Sequence, residues 1–358
     1  MSQKKMPGMR ALIRTDASVE IGSGHLMRCL TLADQLAGKG ADVAFVCRDL
    51  PGGMFDLLQV RGYRSARFSL GADSQQADAE ATIRAAQNLF PDGLDWLVVD
   101  QYQLDALWEC ALRPHARKIM VIDDIANRRH ECDLLLDQNY ESTERYRKLV
   151  PENCCLLLGP KFALLRPEYA EYRKSMKSRN RGMQRALVFF GGSDDRNITG
   201  LSVEALSERD LRNLDVDVVI GANYRHRERL ESQVAQRPKT LIYGPRPHLA
   251  DLMAQADFAI GAGGVTNWER MCLGLPSLVV TTADNQVPIS EILNNEGAIR
   301  LVGDSEGITT DNLLSAIVDE IEMHQYLRRS EIALRKCDGM GTQRVIDALL
   351  AANSKAKF

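Results

Sequence analysis

The chain has 358 residues, of which 45% are hydrophobic and 26% are charged, so it is long enough for two globular domains with cores of their own. Its formal net charge of -3 provides no general basic field for nucleic acid or for an anionic membrane. No apolar run approaches the roughly 20 residues that a membrane span needs.

The amino-terminal segment Met1–Arg10 is short, polar and basic, and no apolar stretch typical of a signal peptide follows it. We therefore expect a cytoplasmic protein. The eight cysteines form no CxxC pair, and several lie inside apolar runs. We interpret them as reduced core residues rather than as a disulfide framework or a zinc site.

In the first half of the chain, short β-rich runs alternate with amphipathic stretches. Met9–Arg14 predicts a first strand, and the apolar positions of His25–Gly38 share one helical face. Four later runs predict further strands: Asp42–Cys47, Trp96–Val99, Ile119–Ile122 and Leu134–Leu136. This order is typical of a parallel sheet covered by helices.

A charged stretch, Tyr169–Gln184, interrupts the pattern and predicts a linker. A second series of strands follows it: Ala186–Phe190, Val216–Ile220, Thr240–Tyr243, Phe258–Ile260 and Ser277–Val280. The sequence thus predicts an α/β protein with two Rossmann-like domains, residues 1–168 and 185–358, whose parallel sheets face a central cleft. The helical segment Thr309–Ala352 either closes the second domain or crosses back to the first.

The first candidate site is the turn after the first predicted strand, where Gly22 and Gly24 flank Ser23 and His25 follows directly. Glycines and a helix amino terminus favour an anion there, and the histidine adds an acid or base. Asp16 is a candidate partner for the imidazole, and Arg28 is a candidate substrate ligand. The alternatives are that His25 only caps or packs the helix, and that Asp16 is an ordinary turn aspartate.

The second candidate site is Gly261–Pro276, in which Gly263 and Gly264 lie between a predicted strand and a helix that begins around Thr266. This arrangement suits a phosphate, and Glu269 in the first helical turn suits two ribose hydroxyls. The alternative is a capping box between Thr266 and Glu269, which would occupy the same carboxylate.

Three weaker signals follow other strands. Gly192, in the run Phe189–Asn197, opens the second domain near a diphosphate or a sugar, or else forms a turn with a Ser or Asp cap. Asn285 follows a strand and suits sugar hydroxyls or amides. A third group lies at strand ends of the first half, where most such aspartates only cap loops: Asp100, Tyr102, Asp123 and Asp124. The histidines other than His25 lack HxxxH-type spacing, so we expect no metal site.

The run from Asp16 to Arg48 (DASVEIGSGHLMRCLTLADQLAGKGADVAFVCR) closely resembles the amino-terminal signature of the UDP-2,4-diacetamido-2,4,6-trideoxy-β-L-altropyranose hydrolase family. That family acts in pseudaminic acid biosynthesis and is related to the GT-B glycosyltransferases. Further segments match it: VVDQY, VIDDIANRRHECDLLLDQN, LLGPKFALLRPEY, FFGGSDDRNIT and GAGGVTNWERMCLGLPSLVV. The resemblance covers most of the chain and implies a GT-B fold.

The resemblance also implies roles for individual residues. It makes His25 the essential catalytic residue and places Tyr102 facing the substrate. It places Asn267 and Glu269 in the UDP site, with Glu269 on the ribose, and uracil against the backbone near Tyr243–Pro247. The implied reaction is hydrolysis of a UDP-sugar at its anomeric carbon, without metal or other cofactor, and with inversion if one water attacks in a single step.

Other functions remain open at this stage. A GT-B glycosyltransferase would share the nucleotide site and differ in its acceptor. A non-catalytic nucleotide-sugar binding module is a second alternative, and the lack of GxGxxG disfavours a Rossmann oxidoreductase. The sequence does not separate the altro sugar from the epimeric precursor of legionaminic acid. We expect a UDP-sugar as the small-molecule partner, no nucleic-acid or membrane partner, and a monomer by default.

Overall fold

The computed structural model describes residues 8–18, 20–69, 74–176, 179, 182–208 and 211–354. Its internal contacts divide the described chain into two compact units. The first unit runs to Leu164 and resumes at Met340, and the second covers Leu165–Gly339.

The first unit is a seven-stranded sheet, with every described strand pair parallel. Its strands are β1 (Arg10–Thr15), β2 (Asp42–Arg48), β3 (Arg64–Phe68), β4 (Leu94–Asp100), β5 (Ala116–Ile122), β6 (Leu134–Asp137) and β7 (Cys155–Leu158). Its first helices are α1 (Gly24–Gly38), α2 (Phe55–Val60), α3 (Gln75–Leu89) and α4 (Ala106–Leu112). The strand order is β3-β2-β1-β4-β5-β6-β7, so the order reverses between β1 and β4. In sheets of this kind, ligands bind outside the carboxyl ends of the strands at such a reversal.

The second unit is a six-stranded parallel sheet. Its strands are β8 (Arg185–Phe189), β9 (Asp215–Val219), β10 (Thr240–Tyr243), β11 (Phe258–Ala262), β12 (Ser277–Thr281) and β13 (Arg300–Asp304). Its helices are α5 (Pro167–Ser175), α6 (Ile198–Ala205), α7 (Arg227–Ala235), α8 (Ala250–Gln255), α9 (Thr266–Cys272), α10 (Val287–Asn295), α11 (Thr310–Glu322) and α12 (Gln325–Lys336). The order β10-β9-β8-β11-β12-β13 reverses between β8 and β11.

The last helix, α13 (Gly341–Ser354), belongs to the first unit. It packs on α1, and Val345, Ile346 and Leu349 are buried in the same apolar cluster as Leu26 and Leu30. The apolar stripe of α1 is thus covered by the sheet and by the end of the chain. This double contact fixes the helix that carries His25.

The predicted linker begins as a helix. Pro167 occupies the first turn of α5, where a missing N–H has no effect, and Tyr169 is fully buried. The Arg173 guanidinium donates to three carbonyl oxygens of the second unit, those of Cys272, Leu334 and Cys337. The charged residues that suggested a linker therefore include one that ties α5 into the second unit.

Three strands were absent from the prediction, namely β3, β7 and β13. Each lies at an edge of its sheet and is less buried than the central strands. An edge strand covers less apolar surface, so β3 and β13 lack the apolar run that marked the others, whereas β7 contains such a run (CLLL) and was overlooked. Within the described residues, no helix combines the length and apolarity of a membrane span.

Candidate functional site

His25 lies at the amino-terminal end of α1, outside the carboxyl end of β1. Gly22 has a φ of 77°, which glycine adopts without strain, and its N–H donates to the carbonyl of Ser18 at 2.9 Å. This tight turn brings the chain from β1 into α1. Thr15 pairs with Asp100 of β4 across the point where the strand order reverses. The local fold therefore places His25 next to the end of β4.

The Asp100 carboxylate joins His25 to Arg28. Its Oδ1 lies 2.6 Å from Nδ1 of His25, and Arg28 donates two hydrogen bonds of 2.6 Å, one to each oxygen of the carboxylate. Asp100 and Arg28 are almost fully buried, whereas the His25 side chain keeps 13% of its surface exposed. A fork-shaped Arg–carboxylate pair fixes the carboxylate, and the carboxylate fixes the imidazole.

A second carboxylate, that of Asp124, adjoins the pair of His25 and Asp100, which we call the dyad. It accepts hydrogen bonds from the Tyr102 hydroxyl at 2.6 Å, from Asn139 at 3.0 Å and from Arg28 at 3.3 Å. The Tyr102 ring stands edge-on to the imidazole, with 4.6 Å between the centroids. The imidazole of His25 is thus held by Asp100 and by Tyr102, and each of these residues is fixed by hydrogen bonds of its own.

The charges decide the tautomer of His25. Burial disfavours the ionised form of Asp100, but Arg28 and His25 outweigh it and hold the pKa of Asp100 well below its usual range. An ionised carboxylate only accepts hydrogen bonds, so we assign the Nδ1 proton of His25 to the bond with Asp100. The lone pair then lies on Nε2, which makes no hydrogen bond with any described residue. A histidine in this state can accept a proton from a water or a hydroxyl group.

The expected contact between Asp16 and the imidazole is wrong. The Asp16 carboxylate accepts from Arg14 at 2.5 Å and from the backbone and side chain of Arg48 at 2.8 and 2.9 Å. Arg14 in turn donates to Asp78, and Asp16 is 1% exposed. Asp100 takes the role expected of Asp16 because β4, rather than the β1 turn, faces the start of α1.

In the second unit, the glycine turn between β11 and α9 is held by Gln286. The Gln286 amide oxygen accepts from the backbone N–H groups of Gly263 at 3.1 Å and Thr282 at 3.0 Å. Asn267 donates to the carbonyl of Gly263 at 3.0 Å, and its oxygen accepts from Arg270. Asn267 is 1% exposed, so its amide braces the turn.

Glu269 lies in the first turn of α9, beneath the glycine turn. Helix α9 has no side-chain cap, so the alternative capping box with Thr266 does not form. The Glu269 carboxylate instead interacts with the Tyr169 hydroxyl. Burial raises its pKa from 4.5 to about 7, although Tyr169, Arg270 and Arg166 each act in the opposite direction.

The other predicted positions of the second unit, like the glycine turn, follow the carboxyl ends of strands of its sheet. Gly192 is exposed just after β8, and its carbonyl accepts from Asn223 at 3.1 Å. The capping alternative for this turn is also present, since Asp194 accepts from the N–H groups of Ile198 and Thr199. Asn285 is exposed in a short 3₁₀ turn after β12. The segment proposed for uracil follows β10 and is mostly exposed.

The structure brings together residues that the sequence only suggested one by one. His25, Arg28 and Tyr102 converge on Asp100 and Asp124, whereas Gly263, Gly264, Asn267 and Glu269 share one turn of the second unit. Sequence reasoning missed Asn139, Gln286 and Tyr169 as supporting residues. The neighbouring positions of β1 and β4 would have identified Asp100, because their carboxyl ends must lie side by side. Among the described residues, no cluster of three or more histidine, cysteine or acidic groups is arranged to hold a metal ion.

Comparison with known proteins gives distant relatives. No protein-family model matches the chain. The chain is 25% identical over 292 residues to the UDP-2,4-diacetamido-2,4,6-trideoxy-β-L-altropyranose hydrolase of Campylobacter jejuni, a match that covers 81% of this chain and 97% of that protein. The chain is a distant homologue of this hydrolase.

Two further relatives are each 26% identical. One is the spore coat polysaccharide biosynthesis protein SpsG of Bacillus subtilis, over 56% of this chain, and the other is an uncharacterized protein of Methanocaldococcus jannaschii, over 76% of this chain. The matches span 60% and 55% of those two proteins, so the chain corresponds to little more than half of each.

Solved structures establish the fold. The MurG structure of Acinetobacter baumannii gives a TM-score of 0.66 at 14% identity, over 96% of this chain and 99% of that one. A UDP-GlcNAc 2-epimerase of Neisseria meningitidis, solved with UDP-GlcNAc bound, gives 0.61 at 13% identity, over 96% and 99%. The expected GT-B class of two Rossmann-like domains is therefore confirmed.

Proposed function

We propose that this protein hydrolyses UDP-2,4-diacetamido-2,4,6-trideoxy-β-L-altropyranose, or a closely related UDP-sugar, to UDP and the free sugar. The observation that carries the proposal is the His25–Asp100–Arg28 arrangement, which leaves Nε2 of His25 without a described partner at the reversal of the first sheet. The homologous hydrolase of Campylobacter jejuni supports this choice of substrate and reaction. The reaction would place the protein in pseudaminic acid biosynthesis.

In the proposed mechanism, one water attacks the anomeric carbon. Its oxygen forms the new bond to carbon while the bond from carbon to the diphosphate oxygen breaks, and UDP leaves with the electron pair. Nε2 of His25 accepts the water proton. Asp100 stabilises the imidazolium that forms, and attack on the face opposite UDP inverts the anomeric configuration.

Arg28 has a separate role in this proposal. Its Nη2 atom lies 3.1 Å from Nδ1 of His25, so the guanidinium borders both the carboxylate and the imidazole. Its two bonds to Asp100 prevent that carboxylate from turning away. We expect Arg28 to position the dyad rather than to contact the sugar.

In the second unit, we propose that UDP binds at the turn that precedes α9. The partly exposed backbone near Gly264 and the start of α9 suits the diphosphate, and Glu269 suits the ribose hydroxyls. Gly192 and Asn285 lie at the same sheet edge and are candidates for further diphosphate or sugar contacts. UDP is already a good leaving group, so stabilising its charge matters more than protonating it.

The test is hydrolysis in the absence of both acceptor and metal. Purified protein is mixed with the UDP-sugar in EDTA, and phosphorus and proton NMR follow UDP and the free sugar. We expect both products from the natural protein and a loss of at least about 10²-fold in rate for His25→Ala. Near-native turnover by His25→Ala would overturn the assignment of His25.

His130 offers a matched control. It forms the same kind of pair, with Nδ1 2.7 Å from Glu109, but it is only 3% exposed and makes no described hydrogen bond with His25, Asp100 or Arg28. His130→Gln protein that remains folded should keep its turnover. A substrate that binds but stays intact until an acceptor is added would instead identify a GT-B glycosyltransferase, and binding without any turnover would identify a nucleotide-sugar binding module.

A further inference from the structure

A cavity of about 120 Å³ lies in the first unit, on the other side of the β1 end from His25. Its wall includes Ala17, directly after Asp16, and Leu26, directly after His25. The remaining wall comes from the end of β2, the turn before α2, the first two residues of α2 and Arg67 on β3. The cavity therefore lies at the carboxyl ends of the strands, as the His25 site does. Its wall on β2 is two strands away from β4, which is roughly 10 Å.

The size of the cavity limits its ligand. A volume of about 120 Å³ is somewhat smaller than a cavity of roughly 150 Å³ that holds one benzene molecule, so it accommodates a small substituent rather than a whole sugar. Gly53 closes one side, since a Cβ there would lie 2.9 Å from the carbonyl oxygen of Leu50 and 3.5 Å from that of Ala17. The backbone thus keeps the cavity narrow.

The chemistry of the wall favours a ligand that is part apolar and part polar. Leu26, Met54 and Phe55 supply apolar surface, while Arg48 and Arg67 supply hydrogen-bond donors. Arg48 is fixed by its bonds to Asp16, and the Arg67 guanidinium lies over the Phe55 ring at 5.2 Å. Both donor groups are therefore held beside the apolar surface.

The charges on the wall favour a neutral ligand. The two arginines are accompanied by two carboxylates, Asp49 and Asp56, and Asp49 lies 3.8 Å from Arg67. An anion would meet the carboxylates and a cation would meet the guanidinium groups. An acylamino group fits this set, since its methyl is apolar, its carbonyl oxygen accepts hydrogen bonds and it carries no charge.

We propose that this cavity binds one N-acyl substituent of the sugar whose anomeric carbon lies at His25. This proposal rests on the proposed function and adds a specificity site to it. Arg67 then donates to the acyl oxygen, and Phe55 and Met54 contact the acyl methyl. The cavity favours N-acylated sugars because the acyl oxygen gives Arg67 an acceptor and the methyl covers the apolar surface, whereas a free ammonium group would be repelled by Arg48 and Arg67 and would leave that surface uncovered.

The kinetic test compares the diacetamido UDP-sugar with its two mono-deacetylated analogues. We expect the natural protein to discriminate against one analogue by about 10- to 100-fold in kcat/KM. Arg67→Met and Phe55→Ala should remove most of that discrimination, by slowing the acylated substrate more than the analogue. Arg64→Met is the control, because Arg64 lies at the opposite end of β3 and pairs with Asp42.

Equal slowing of the acylated and deacylated compounds by Arg67→Met and Phe55→Ala would overturn the proposal. A binding measurement separates this failure from a failure of the hydrolase assignment. In His25→Ala protein with ¹³C-labelled methionine methyl groups, we expect an NOE between the Met54 methyl and one acetyl methyl of the UDP-sugar, assigned with Met54→Leu. Bound UDP-sugar without that NOE contradicts the cavity proposal, whereas the NOE in a protein that never releases UDP contradicts only the reaction.

Discussion

Asp100 in the first unit and Glu269 in the second lie beside the point where their own sheet reverses its strand order, yet their surroundings differ. Asp100 has a two-bond partner in Arg28 and a further partner in His25, so its pKa lies well below the usual range. Glu269 interacts with the neutral Tyr169 hydroxyl, and burial raises its pKa to about 7. One carboxylate is held ionised by the protein, and the other is held close to its titration point.

This difference matches a division of labour between the two units. A carboxylate that is permanently charged can orient a catalytic imidazole and stabilise it when it accepts a proton. Burial outweighs the effect of Arg270 and Arg166 on Glu269, so this carboxylate is about half neutral near pH 7, and hydroxyl groups of a ligand can become its partners. Under the proposed function, the first unit supplies the group that accepts a proton and the second unit supplies groups that bind the nucleotide.

The largest effect is expected for Asp100→Asn, which tests whether turnover needs the charge of this carboxylate. The amide keeps the shape but removes the charge and one of the two acceptor oxygens, so His25 and Arg28 compete for the remaining oxygen and Arg28 loses its counter-charge. We expect kcat for UDP-sugar hydrolysis to fall about 10³-fold or more, while UDP affinity, measured by calorimetry, changes less than about 3-fold.

Asp78→Asn is the control for this substitution. Asp78 forms a similar buried pair with Arg14, at 2.5 and 3.1 Å, but it lies away from His25. Its loss should lower stability without a comparable loss of kcat. A similar fall in kcat for both variants would mean that Asp100 acts through stability alone.

Glu269→Gln tests the other half of the comparison. The folded-state pKa of about 7 exceeds the ordinary 4.5, so the stability that Glu269 contributes is present below pH 4.5 and is lost as the pH rises through 7. Between these limits, the unfolding free energy of the natural protein relative to Glu269→Gln should fall by about 3 kcal/mol, measured by urea unfolding. A pH-independent Glu269→Gln difference would contradict the assignment.

The sequence predicted the central strands and the two glycine turns because buried parallel strands are continuous apolar runs and tight turns need glycine. Edge strands such as β3 and β13 were missed for the opposite reason, since they bury less. Asp100 was recognised as a strand-end carboxylate but not as the partner of His25. That pairing depends on β1 lying beside β4, and strand order is a tertiary property that local patterns do not contain.

Supporting residues were hardest to predict. Tyr169 lies 100 residues before Glu269 in the chain, inside a stretch whose charge suggested a linker. Gln286 reaches the N–H of Gly263 from the turn after the next strand. Such contacts have no spacing rule, because any helix or turn that packs nearby can provide them.

Gly264→Ala tests whether the diphosphate of UDP binds against the glycine turn of the second unit. A Cβ at Gly264 would lie 3.6 Å from the Gln286 amide nitrogen, an ordinary contact, so the variant should fold normally. If a diphosphate binds against this backbone, the added methyl should weaken UDP binding about 10-fold in calorimetry while kcat changes little. Unchanged UDP affinity would move the diphosphate away from this turn.

Gly263→Ala is the comparison for this variant. There the Cβ would lie 2.7 Å from the Ser290 hydroxyl, which is buried in a packed environment. The turn or Ser290 must shift, so we expect a loss of about 1 to 3 kcal/mol in stability. The two neighbouring glycines therefore separate ligand contact from packing.

The smallest expected effect is that of Tyr102→Phe, which tests how His25 is held. The substitution removes the hydroxyl that donates to Asp124 at 2.6 Å but keeps the ring beside the imidazole. Asp124 retains Arg28 and Asn139 as donors, so the loss should be about 1 kcal/mol, seen as a roughly 5-fold lower kcat with an unchanged KM. A KM raised 10-fold at constant kcat would show instead that the hydroxyl leaves Asp124 to bind the sugar. In that case Tyr102 would belong to recognition, and the division between a catalytic first unit and a recognising second unit would not be complete.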